Sequence, residues 1–242
     1  MTPVGGSSGS AGALDEHHDA HPGAREDRGH QSNIELVAGG ILVAAVVLGG
    51  LYFSFRPAAG TLDRWLGDLV PQSRSRWLVD ISRLRYPVII VIGSIIAAAV
   101  CFPRNRRRAL ACLVGPPLAL VACELVVKPL VGRTLGGSLS YPSGSTVGAS
   151  ALATVAVLVV PARWRAVTMV LAAAYVVWVT VAVVALQWHF PTDALAGVAF
   201  GVGVVLLVDG TSWWVFDQLG RAVTRRRRLA VGDRAQHGGP VL

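Results

Sequence analysis

Lysine is almost absent from this chain of 242 residues; Lys128 is the only one. Charge of any sign is thin as well, at 15% of residues, where a soluble domain carries about a quarter. An ordinary water-facing surface is therefore excluded. The three cysteines, Cys101, Cys112 and Cys123, lie in or at the ends of apolar stretches and show no metal-binding spacing. They read as small core residues, so neither a disulfide framework nor a metal site is expected. A basic start followed at once by an apolar core is also missing, so no signal peptide is expected.

The formal net charge of +8 comes almost wholly from arginines clustered beside apolar blocks. That pattern marks cytoplasmic loops of a membrane protein, not a nucleic-acid surface, and no nucleic-acid partner is expected. Apolar residues make up 53% of the chain and gather in blocks long enough to cross a bilayer, which takes roughly 20 residues per helix. The fold class expected is all-α, a polytopic membrane protein with six transmembrane helices. The spans fall near Ile34–Phe55, Pro87–Phe102, Ala109–Val127, Thr146–Val160, Ala166–Leu186 and Asp193–Val208.

Arginine placement sets the orientation. Arg104 and Arg106 to Arg108 fill the turn between spans two and three, Arg163 and Arg165 that between four and five, and Arg221 and Arg225 to Arg228 follow span six. These belong on the cytoplasmic side, giving a multi-pass protein of the cell membrane with both termini inside. The six arginines between Arg56 and Tyr86 run against this, but Asp63, Asp68 and Asp80 accompany them, and the alternation of six spans outweighs them. Within that outer segment Leu62, Trp65, Leu66 and Leu69 recur at helical spacing, as do Trp77, Leu78, Ile81 and Leu84. Two short amphipathic helices along the outer interface are expected between the first two spans. Residues 1–33 are expected to be a disordered cytoplasmic tail, 34–215 the transmembrane domain and 216–242 a basic cytoplasmic tail. His17, His18, His21 and His30 read as part of a solvated tail, not a metal site. Gly197 and Gly201, with Gly203, read as a close helix contact without chemistry.

Outside the tails the inventory of reactive side chains is short. His189 is the only histidine there, and it joins Lys128, Glu124 and Asp193 at the outer ends of spans three, five and six. Ionisable groups at that depth are costly and more often functional than decorative. Tyr141-Pro142-Ser143-Gly144-Ser145-Thr146 opens span four at the same level, where free backbone N–H groups and the helix dipole favour an anion. In His189-Phe190-Pro191-Thr192-Asp193 the carboxylate is placed to fix the imidazole tautomer, leaving the other ring nitrogen as nucleophile or base. The plainer alternatives are a histidine capping span six, a Lys128 that snorkels while paired with Glu124, and Ser143 and Ser145 as helix caps.

The order lysine, then P-S-G, then H-x-x-x-D, each at the outer end of a successive helix, resembles the phosphatidic acid phosphatase type 2/haloperoxidase superfamily. Its pattern reads K-x6-R-P, P-S-G-H and S-R-x5-H-x-x-x-D, and the resemblance spans about Arg56 to Gly210. It implies that Lys128 binds phosphate, that Ser143, Gly144 and Ser145 cradle its oxygens, and that His189 forms a phosphohistidine while Asp193 orients it. No cofactor or metal is implied. The family's first arginine-proline pair falls on Leu135 and Gly136, its general-acid histidine on Ser145, and its serine-arginine pair on Ala182 and Val183. Arg133, five residues after Lys128, is the cation expected to stand in.

Three readings follow. The first is a phosphatase of lipid phosphates or pyrophosphates, polyprenyl carriers among them, working in the outer leaflet. The second is a non-catalytic relative that binds an anionic lipid headgroup or a partner in envelope assembly. The third, a small transporter, is disfavoured because the polar groups gather at one face and not at mid-membrane. The partners expected are the lipid substrate and membrane lipids; protein partners are left open.

Overall fold

The computed structural model describes residues 22–73, 75, 76, 78, 79 and 86–237, with side chains among them from 29 to 219 and at Arg221. The chain runs through helices α1 (Pro22–Phe55), α2 (Thr61–Asp68), α3 (Pro87–Cys101) and α4 (Arg106–Val131). A two-stranded hairpin, β1 (Thr134–Leu135) and β2 (Ser138–Leu139), follows, and then α5 (Gly144–Val159), α6 (Ala162–Ala185) and α7 (Pro191–His237).

Four stretches are long and apolar enough to cross a membrane: Gly29–Phe55, Arg106–Val131, Ala162–Ala185 and Pro191–Leu219. Helices α3 and α5 are apolar but have only 15 and 16 residues. At 1.5 Å per residue they reach roughly 22–24 Å, short of the ~30 Å hydrocarbon core. The N-terminal half of α5 is buried in protein on every side, so that end of the short helix does not face lipid.

The main core joins Val46 of α1, Cys112, Ala119 and Cys123 of α4, Val147, Ala151 and Val155 of α5, and Phe200, Val204 and Val205 of α7. All three cysteines are free thiols and buried, as their apolar settings suggest. Helix α6 adds Val179 and Val183 against Ala149 and Ala194. Its other faces carry exposed Val170, Leu171 and Val177, the outward-facing aliphatics expected of a helix meeting lipid.

Small residues set how closely the helices approach. A Cβ on Gly197 would lie 2.5 Å from the Ser143 carbonyl, and one on Gly201 2.4 Å from that of Val147. The G-x-x-x-G therefore seats α7 on the start of α5. Gly203 and Gly210 do the same against Gly39 and Ser32 of α1.

One expectation changes here. Helix α1 begins at Pro22, so 22–33 is not a disordered tail. Its early turns dock on α7, where the Ser32 hydroxyl donates to the Gly210 carbonyl (3.0 Å). Residues 1–21, with His17, His18 and His21, lie outside the described residues, and so do Trp77, Ile81 and Leu84 of the second amphipathic segment. The first such segment is helix α2, with Leu62, Trp65 and Leu69 turned outward. What α2 buries is its acid, Asp63, at 3% exposure.

At the end of the bundle away from α2, Arg108 pairs with Asp209 (3.4 Å) and donates to the Leu158 carbonyl (3.3 Å). Arg107 stands over the Trp213 ring at 4.9 Å from its centroid.

Candidate active site

The opposite end holds a cavity of about 750 Å³ between α4, the hairpin, the start of α5 and the end of α6. Glu124, Lys128, Gly144, Ser145, Trp188 and His189 face it, and Leu120, Val121 and Leu125 of α4 supply an apolar flank. Among the described lining residues Lys128 is the one permanent cation.

Helix α4 reaches the cavity through an irregular turn. Pro129 has no N–H to give a carbonyl four residues back, and its ring would crowd that turn. The backbone widens into a π-helical turn over Cys123–Val127, closed by Lys128 N–H to the Cys123 carbonyl. Glu124 opens this turn and Lys128 ends it. The ammonium is 11% exposed and contacts both Glu124 oxygens, at 2.8 and 2.9 Å. Gly132, at φ 66°, then stops the helix in the left-handed region, where glycine meets no steric penalty.

Arg133 follows at once and is not at the cavity. It is fully buried, its guanidinium between the rings of Phe53 and Phe190, 3.9 and 4.2 Å from their centroids. It donates to Asp193 Oδ1 (2.5 Å), Asp63 Oδ2 (2.6 Å), Thr192 Oγ1 (2.9 Å) and the Pro57 carbonyl (3.1 Å). Its donors are committed to two carboxylates inside the protein, so the phosphate-binding role expected of Arg133 does not fit this placement. Burial alone would raise the Asp63 carboxyl. The Thr192 hydroxyl and the Arg133 guanidinium, with the Thr192 and Gly60 amides, hold it below its ordinary value instead.

The hairpin turns on Gly136 and Gly137, at φ 57° and 83°, as a two-residue loop requires. Its base closes where Ser140 N–H donates to the Arg133 carbonyl (2.8 Å). The Ser140 carbonyl in turn accepts from His189 Nδ1 (2.8 Å). A carbonyl only accepts, so Nδ1 carries the proton and the neutral ring keeps its lone pair on Nε2. The Ser140 carbonyl thus orients the His189 ring. Asp193 Oδ1 serves Arg133 and Oδ2 accepts from the Phe190 amide (3.1 Å) at the start of α7. His189 itself follows a reversed turn at the end of α6, with Gln187 at φ 59° and Trp188 N–H on the Val183 carbonyl (3.0 Å).

At the start of α5, Gly144 and Ser145 reach the cavity but Ser143 does not. Ser143 is buried against α7, with its N–H on the Asp193 carbonyl (2.9 Å) and its hydroxyl unpaired. Thr146 Oγ1 donates to the Ala194 carbonyl (3.0 Å) and ties the same turn to α7. The N-termini of α5 and α7 therefore converge on one end of the bundle.

Asp63, Thr192 and Ser140 were not singled out from sequence. Asp63 and Arg133 are 70 residues apart, and no local pattern joins them. The apolar stripe of α2 drew attention to the face that turns outward. No group of three or more His, Cys, Asp or Glu placed to hold a metal ion occurs among the described residues.

No protein of curated function matches the chain in sequence. The crystal structure of the first transmembrane PAP2-type phosphatidylglycerolphosphate phosphatase, from Bacillus subtilis, shares the fold with a TM-score of 0.50 at 20% identity. The match covers 75% of this chain and 96% of that one. The PAP2 superfamily model matches residues 41–217, a stretch that holds Lys128, the P-S-G turn and His189-x-x-x-Asp193 together. The chain belongs to the PAP2 superfamily.

Proposed function

We propose that this protein hydrolyses lipid phosphates or pyrophosphates, those of polyprenyl carriers among them, at the non-cytoplasmic face of the membrane. In this reading all six apolar helices cross the bilayer, α3 and α5 as short spans. Arg104 to Arg108 and both termini lie in the cytoplasm. The observation that carries the reading is the convergence of Lys128, the start of α5 and His189 on one cavity with an apolar flank.

Lys128 and the backbone N–H groups at Gly144 and Ser145 hold the phosphoryl oxygens. His189 Nε2 attacks phosphorus, its bond to phosphorus forming as the bond to the leaving oxygen breaks. The proton stays on Nδ1, donated to the Ser140 carbonyl, and the positive charge that develops is carried by the imidazolium ring. Water then attacks the phosphohistidine, releasing phosphate and restoring the ring. Ser145 stands where the family carries a general-acid histidine, and its hydroxyl is too weak an acid to protonate an alkoxide. Such a loss typically lowers the rate by about 10²–10⁴. A lipid pyrophosphate expels the lipid monophosphate, a phosphate leaving group that departs without that help, so pyrophosphates are the favoured substrates.

The test is phosphate release by the purified protein in detergent from prenyl pyrophosphates, prenyl monophosphates and phosphatidic acid, with His189→Ala beside it. Release that disappears in the variant and is greatest on pyrophosphates supports the proposal. Equal or faster turnover of a monophosphate contradicts the leaving-group argument. A second reading, a non-catalytic binder of anionic headgroups, is favoured by one observation: Lys128 is already ion-paired. It becomes the better reading where no substrate is turned over above His189→Ala.

A further inference from the structure

The Glu124 carboxylate stands in the place a phosphate needs. It contacts Lys128 with both oxygens and lies directly against Gly144, where a Cβ on that residue would overlap its Oε1. Lysine ammonium on one side and the start of α5 on the other are the two elements that would hold a bound phosphate. Glu124 is itself 42% exposed at the cavity edge, so its side chain has room to swing into solvent without taking a charge through the core.

We propose that Glu124 is a specificity residue, an internal anion that keeps singly charged phosphodiesters out of the cradle and yields only to phosphates of higher charge. This rests on the reading of the cavity as a phosphate site. A cavity with an apolar flank inside a bilayer meets phosphodiester headgroups at very high local concentration. Each diester phosphate carries one negative charge, no more than the carboxylate it must displace. The carboxylate is tethered one helical turn from Lys128, so its effective concentration is high. A diester therefore gains nothing by exchange. A monoester brings about −1.5 to −2 at neutral pH, and a pyrophosphate end group brings more, so these displace the carboxylate with a net Coulombic gain.

The experiment uses the fact that Lys128 is the only lysine. The full-length protein in detergent is acylated with an amine-selective reagent, and modification of the Lys128 peptide is followed by mass spectrometry. The competing anions are inorganic pyrophosphate, inorganic phosphate and dimethyl phosphate. In the native protein pyrophosphate is expected to protect Lys128 at far lower concentration than dimethyl phosphate. In Glu124→Gln the diester gains, and the ratio of the two protecting concentrations shrinks by about tenfold, the equivalent of 1.4 kcal/mol. Glu124→Ala is expected to shift the ratio the same way.

An unchanged ratio in both variants overturns the proposal, and so does a shift in one variant only. Absence of protection by every anion in every protein overturns it too, because the cradle then holds no phosphate. Lipid phosphate turnover is scored separately. A shifted ratio without turnover leaves Glu124 as the filter of a binding site. Turnover with an unshifted ratio leaves the phosphatase standing without the filter.

Discussion

Replacing Arg133 by methionine separates two roles that sequence alone merges. As a phosphate cation Arg133 would touch substrate; as built, it cross-ties α2, α7 and the hairpin from inside. The substitution keeps much of the side-chain volume between Phe53 and Phe190 but removes the partner of Asp63 (2.6 Å) and of Asp193 (2.5 Å) together. Breaking a buried ion pair by deleting one member costs about 3–5 kcal/mol, because the other charge is left uncompensated. Two carboxylates are left here, so a loss of at least ~4 kcal/mol at neutral pH is expected. For a domain of this size a loss of ~4 kcal/mol corresponds to a fall in melting temperature of roughly 8–16 °C.

The pH dependence supplies a sign that mere damage would not. In the native protein Asp63 is held below its ordinary pKa, so its contribution is complete above the unfolded value and is lost as pH falls through the folded one. In Arg133→Met the unpaired Asp63 faces a like charge in a buried site, which raises its pKa. The folded variant then binds protons more tightly than the unfolded chain and gains stability as pH falls from 7 towards 5. Melting of the detergent-solubilised proteins across that range reads both slopes. Below the variant's melting temperature, kcat is expected to drop by about 10²-fold through a misplaced His189, with KM little changed. A variant within ~1 kcal/mol of native at pH 7, or one with the native acid slope, would refute the cross-tie. A large rise in KM with kcat intact would return Arg133 to the phosphate.

Lys128→Gln removes the cation matched to the phosphoryl oxygens and is expected to lower kcat by about 10²–10³-fold, read by phosphate release, while far-UV circular dichroism stays native. Gly197→Ala places a methyl 2.5 Å from the Ser143 carbonyl and is expected to destabilise the protein by about 1–3 kcal/mol, seen as an earlier melt. Tyr141→Phe removes a buried donor 2.7 Å from the Val46 carbonyl and is expected to cost about 1–3 kcal/mol by the same assay.

Much of the architecture was legible because lipid makes hydrophobic length nearly sufficient: the boundaries of α3, α5 and α6 fall within a few residues of the apolar blocks. The start of α1 was not, since residues 22–33 are polar, and the contact that ties this stretch to α7, Ser32 to the Gly210 carbonyl, is remote in sequence. In the candidate site, Lys128, Gly144, Ser145 and His189 were each readable from position at a helix end. Arg133 was expected to stand in as a phosphate cation from its closeness to Lys128 in sequence alone. The π turn and the left-handed Gly132 redirect the chain into the core before Arg133 is reached. Asp63 was hidden by its own helix: the stripe of Leu62, Trp65 and Leu69 marks the face that turns outward, and the acid on the other side is what turns in.

The same redirection explains why a site with so few cations still holds its histidine in place. In the family pattern arginines serve the phosphate directly. Here Leu135 and Gly136 line the cavity where one such pair would fall, and Ala182 and Val183, at the other, are packed in the core at 1% and 0% exposure. The arginine nearby, Arg133, lies one layer back, with its guanidinium shared between Asp63 and Asp193 and its backbone carbonyl accepting from the Ser140 amide. A site built that way keeps the positioning part of phosphoryl transfer and gives up part of the electrostatic part. It is suited to substrates that need less of the latter, which is the chemical case for a pyrophosphate with its good leaving group and for a filter, Glu124, that yields only to high charge.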